Sequence, residues 1–125
     1  MKILVTILII IAFNLQFDQK NENTLEGVWF AKELENSIIE ITKNNKNIWA
    51  GKIIASDDKK IIGRIVFDNI KSDNNGNWVG KLTDPKKEIE VDAKFNLENP
   101  NKLKLVGKKF FFTKTFYWVR KNLNN

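Results

Sequence analysis

The stretch Glu88-Ile89-Glu90-Val91-Asp92-Ala93-Lys94-Phe95 alternates without a fault, apolar at every odd position and charged at every even one. A helix would spread those charges around its whole circumference. A strand sends successive side chains to opposite faces, so one face becomes wholly apolar and the other wholly charged. The reading is a β-strand with one face on a core. Lys102-Leu103-Lys104-Leu105 repeats the pattern. Further out, Lys52 marks an outer face that turns Trp49, Gly51 and Ile53 inward, and Lys81 does the same for Trp78, Gly80 and Leu82. Inward glycines either relieve crowding where a sheet bends or leave room for a ligand.

Strand-like runs fall at 28–32, 37–43, 48–55, 64–70, 78–83, 89–96, 102–106 and 111–120, at the roughly 8- to 12-residue spacing of sandwiches and barrels. Turn signals separate them, among them Asn44-Asn45-Lys46-Asn47, Asp73-Asn74-Asn75-Gly76, Asp84-Pro85 and Asn99-Pro100-Asn101. Connections this short cannot carry parallel crossovers, so the chain meanders up and down in antiparallel fashion. Gly27-Val28-Trp29 stands at the beginning and Trp118-Val119-Arg120 at the end. A closed barrel brings its first and last strands together, so Arg120 can lay its guanidinium over Trp29 and, with Trp118, seal one end. The expected fold is therefore all-β, an antiparallel up-and-down barrel of about eight strands, formed as a single domain over residues 25–121. With 125 residues, 42% of them hydrophobic, the chain has material for one such core.

On the last strand Phe116, Trp118 and Arg120 are placed inward. The interior then holds Trp29, Trp49, Trp78, Trp118, Phe67, Phe95 and Phe116. That inventory either fills the lumen as core or lines a small cavity. For the second case the lining candidates are Trp49, Trp78, Gly80, Phe67, Phe95 and Phe116, while Trp29, Arg120 and Trp118 form the closure.

The chain has no Cys and no His, which removes thiolate chemistry, disulfides and the commonest general base and metal ligand. Carboxylates such as Asp57, Asp58, Asp68, Asp73 and Asp84 are the remaining catalytic material, and Glu88, Glu90 and Asp92 share the solvent face of one strand. Asp73 opens a loop that lacks the downstream Glu of a calcium site, since position 84 is Asp84. The expectation is a protein that is not an enzyme and needs no cofactor or metal. Net charge is +6, almost all of it from Lys, with Arg64 and Arg120 the only guanidiniums. Specific base recognition draws on arginine forks, so nucleic acid is not an expected partner. Lys102, Lys104, Lys108, Lys109 and Lys114 crowd together, a cluster suited to weak contact with anionic envelope lipids. Lys2 followed by the apolar run 3–13 has the form of a secretory signal, expected to occupy residues 1–19 and to direct export to the periplasm or beyond.

Gly27-Val28-Trp29, Ser37-Ile38-Ile39-Glu40-Ile41, Gly51-Lys52-Ile53, Trp78-Val79-Gly80-Lys81 with Asp84-Pro85, and Leu103-Lys104-Leu105-Val106-Gly107 with Trp118-Val119-Arg120 resemble, in order and spacing, the bacterial domain-of-unknown-function family 2147. The resemblance covers the chain beyond the leader and implies an exported, small, β-rich protein; it brings no biochemical activity with it. Residues 57–62 and 86–89 depart from the family's pattern. The Gly-x-Trp opening and the closing Arg are also similar to those of the calycins, which include lipocalins, fatty-acid-binding proteins and avidins. Three functional readings stand open: first a binding module for one small hydrophobic or amphipathic molecule, then a cell-envelope interaction protein with a filled core and a basic outer surface, and last, against the expectation above, an enzyme using carboxylates alone.

Overall fold

A computed structural model describes residues 24–122; the expected leader lies outside them. Eight strands run in chain order: β1 (Gly27–Ala31), β2 (Ser37–Lys43), β3 (Trp49–Ala55), β4 (Ile65–Ser72), β5 (Asn77–Thr83), β6 (Glu90–Asn99), β7 (Lys102–Lys109) and β8 (Phe112–Arg120). Each pairs antiparallel with its neighbours, and β1 pairs with β8 to complete a closed up-and-down barrel. A single 3-10 turn, Lys59–Ile61, interrupts the connection from β3 to β4.

The alternation that identified the strands also fixes their inner faces. On β7, Leu103 and Leu105 are buried while the alternating Lys102 and Lys104 look outward; on β8, Trp118 is buried while Tyr117 and Val119 are exposed. Trp29, Ile39, Ile41, Trp49, Ile53, Phe67, Ile70, Phe95, Leu103 and Leu105 form one contiguous core. Gly51 and Gly80 admit close neighbours. A Cβ on Gly51 would meet the Phe67 ring at 2.6 Å, and one on Gly80 would meet Ile70 Cδ1 at 2.5 Å.

The meander gives the barrel two unlike ends. The entry to β1, the turns at 44–48, 73–76 and 100–101, and the exit of β8 gather at one end, which we call the floor. The loops 32–36, 56–64, 84–89 and 110–111 gather at the other, the mouth. Floor turns use side chains built for turning. Asn44 Oδ1 accepts hydrogen bonds from the Lys46 and Ile48 amides, and Asp73 Oδ1 from those of Asn75 and Asn77. Their left-handed positions are occupied by Asn47, Asn74 and Gly76.

Candidate functional site

The floor is sealed by one side chain. The Arg120 guanidinium lies 4.3 Å from the centre of the Trp29 ring. Its Nη1 donates to the Glu26 carbonyl at 2.8 Å, its Nη2 to the Thr24 carbonyl at 2.6 Å and its Nε to the Pro100 carbonyl at 2.8 Å. Trp29 in turn donates its indole N–H to the Leu25 carbonyl at 2.9 Å. Close by, the Glu26 carboxylate accepts from the Trp49 indole N–H at 2.5 Å and from the Thr24 hydroxyl. Burial acts to raise the pKa of Glu26, but these hydrogen bonds and the charge of Lys43 outweigh it and leave the pKa lowered. With its bonding capacity met in this way, the floor offers a guest little to bind.

The aromatic residues above the floor pack on one another. Trp49 meets Trp78 edge-on with centroids 6.0 Å apart, Phe67 meets Phe95 edge-on at 4.9 Å, and Phe67 stacks with Trp118 at 6.4 Å. Trp49, Phe67 and Phe95 are therefore core residues, Trp78 is half-buried against them, and Gly80 is occupied by Ile70. Trp118, expected at the closure, is buried on the other side of Phe67.

Open space begins at the mouth. A cavity of about 370 Å³ reaches inward as far as Trp118. Its apolar wall includes Leu34, Val66, Leu82, Val91, Phe116 and Trp118, and Gly107 contributes bare backbone. Of the six residues expected to line a cavity, Phe116 does so. Lys87, Lys109 and Lys114 stand in the lining together with Glu33 and Asp84. Asp84 is occupied in its own loop, accepting from the Lys86 and Lys87 amides, and none of the three lysines forms an ion pair among the described residues. Elsewhere at the mouth charges are matched, with Lys86 on Glu35 at 2.5 Å and Arg64 on Glu88 at 3.4 Å.

The lysine cluster expected to meet lipids is divided by the fold. Lys102 lies near the floor, 4.7 Å from the Tyr117 ring, and Lys104 is next on the same outer face. Lys108 and Lys109 are at the mouth. Sequence reading passed over Leu34, Val66, Leu82, Val91 and Gly107 as cavity residues, and over Phe110-Phe111-Phe112 as a turn. Three consecutive Phe between lysines was the available signal for the turn.

The family model described as "Uncharacterized protein conserved in bacteria (DUF2147)" matches residues 27–120. The chain belongs to this family. The DUF2147 match coincides with the barrel from the first residue of β1 to the last of β8, Arg120 included. The segments 57–62 and 86–89, read from the sequence as departures from the family's pattern, both lie in mouth loops. No curated protein and no solved structure matches the chain significantly.

Proposed function

We propose that this DUF2147 barrel is an exported binding module that takes one small amphipathic molecule, apolar end first, into its mouth. The observation that carries the reading is an apolar cavity rimmed by Lys87, Lys109 and Lys114, none of them in an ion pair among the described residues. A volume of about 370 Å³ falls at the small end of ligand sites, which run from roughly 300 to 1,000 Å³. A medium-length acyl chain ending in a carboxylate or phosphate suits both halves: methylenes against Val91, Phe116 and Trp118, and an anionic head among the lysines. Six buried methylenes at about 0.8 kcal/mol each, with about 1 kcal/mol from a rim cation, give a Kd on the order of 0.1 mM. Export rests on Lys2 and the apolar run 3–13, and mass analysis of the native N-terminus checks it; an intact Met1 in the cytosol refutes it.

The test of binding is a decanoate titration followed by tryptophan emission, for which Trp118 in the cavity wall is the reporter. Saturation at one site per chain is expected. Gly107→Leu, which points bulk into the cavity where the nearest neighbour is Val91 Cγ2, should weaken binding about tenfold or more while the thermal midpoint holds. If the parent shows no saturation, the densely packed floor half favours the second reading, an envelope interaction protein that works through its outer surface.

A further inference from the structure

We propose that the hairpin joining β7 to β8 is a membrane-docking finger: Phe110, Phe111 and Phe112 enter the apolar edge of an anionic bilayer while Lys108, Lys109 and Lys114 meet its headgroups. The proposal goes beyond the binding reading and does not depend on a guest in the cavity. Three contiguous phenylalanines stand 80%, 98% and 80% exposed, and Phe110 and Phe111 form the apex beyond the last strand pair, Lys109 with Phe112. Large aromatic side chains are ordinarily the first to be buried.

The backbone adds an independent observation. Phe110 has φ +56°, and two-residue hairpin turns with a left-handed first residue draw Gly, Asn or Asp because a bulky side chain is strained there. Turn formation does not explain Phe at that position, and neither does packing, since Phe110 and Phe111 lie outside both the core cluster and the cavity lining, in which Phe112 stands. Strain of this kind gathers at functional segments.

Charge identifies the occupant. No Asp or Glu follows Glu98 in the sequence, so the whole β7-β8 ribbon is cationic. Asp92, opposite Lys108 in register, is engaged by Lys81 at 3.3 Å. A protein partner would need a pocket shaped to this narrow tip. A fluid apolar layer beneath anionic headgroups accepts it without one, at interfacial depth.

The experiment is flotation of the folded barrel with vesicles of phosphatidylcholine alone and of phosphatidylcholine mixed with phosphatidylglycerol. Association with the mixed vesicles, falling as salt rises, is expected. The double variant Phe110→Gly with Phe111→Asn puts Gly at the left-handed first position, so its thermal midpoint should hold or rise while vesicle binding drops about tenfold or more. Lys108→Gln and Lys109→Gln should each cost roughly fivefold, and the emission of Phe111→Trp should shift to the blue on adding mixed vesicles. Absence of binding by the parent, equal binding to both vesicle types, or full binding by the tip variant overturns the proposal. A decanoate titration in the absence of vesicles reports on the cavity separately, so either idea can fail alone.

Discussion

The floor and the mouth of this barrel are built from the same eight strands by opposite rules. At the floor, left-handed backbone positions fall to Asn47, Asn74 and Gly76, each nitrogen of the Arg120 guanidinium donates a hydrogen bond to a backbone carbonyl, and aromatic rings fill the lumen. At the mouth, Asn36 and Gly63 take left-handed conformations that suit them, but so do Glu35, Glu88 and Phe110, which are ill suited; lysines line the rim without ion pairs among the described residues, and the lumen stays open. The contrast separates what makes the barrel stable from what it presents to other molecules. Local strain with no local reason, as at Phe110, is what the docking proposal rests on.

Breaking the floor should have the largest effect. Arg120→Ala removes the cation above Trp29 and frees the carbonyls of Thr24, Glu26 and Pro100, for an expected loss of about 2 to 4 kcal/mol. Denaturant midpoints measured against Lys121→Ala as an exposed control will check this, and equal shifts would refute the seal.

The glycines sharpen the comparison next. Gly51→Ala drives a methyl into the Phe67 ring and should cost about 1 to 3 kcal/mol. At Gly107 the new methyl has only Val91 Cγ2 at 3.3 Å to displace toward the cavity, so Gly107→Ala should stay within about 1 kcal/mol of the parent. Comparable thermal losses at both sites would mean that the mouth is as tightly packed as the floor.

At the hairpin apex the sign should reverse. Phe110→Gly relieves a bulky residue at φ +56° and should gain about 1 kcal/mol in equilibrium unfolding. A destabilised variant would show that the Phe110 side chain supports the turn.

The smallest expected effect is an acid dependence belonging to the floor. Burial opposes the Glu26 carboxylate, but the hydrogen bonds from Thr24 and Trp49 together with Lys43 hold its pKa below the ordinary 4.5. A depressed folded-state pKa means that the stabilisation is present above the unfolded value and is lost as pH falls through the folded one. Stability should therefore decline below about pH 4.5, and Glu26→Gln should flatten that decline in urea titrations taken at successive pH values. An unchanged acid limb would remove Glu26 from the account.

Much of the fold was legible because a half-buried strand writes its two faces into alternate residues, as in 88–95. The paired ends Trp29 and Arg120 were legible for a related reason, since a closed barrel brings its first and last strands side by side. Depth within the barrel was not legible. Alternation says that Trp49, Phe67 and Phe95 face inward, but whether they meet a guest or each other depends on stagger, and pairings such as Gly51 with Phe67 set that stagger through bulges in β3. Gly51 and Gly80 fitted either relief of crowding or room for a ligand, and the close neighbours they admit are Phe67 and Ile70. The hairpin apex was hidden because Phe110-Phe111-Phe112 has strand propensity and no turn residue.

The Arg120 latch also bears on how the chain reaches this state. Its bonds to Glu26 and Thr24 join residues 94 and 96 positions apart, and until they form the meander is an open ribbon with β1 and β8 as bare edges. A growing chain cannot complete the ring before position 120 has emerged, so each partly made molecule exposes pairing edges to its neighbours. Sequence separations this long place the closing step among slow folding events, on the order of milliseconds to seconds. The interval between synthesis and closure is when the chain is most exposed to aggregation.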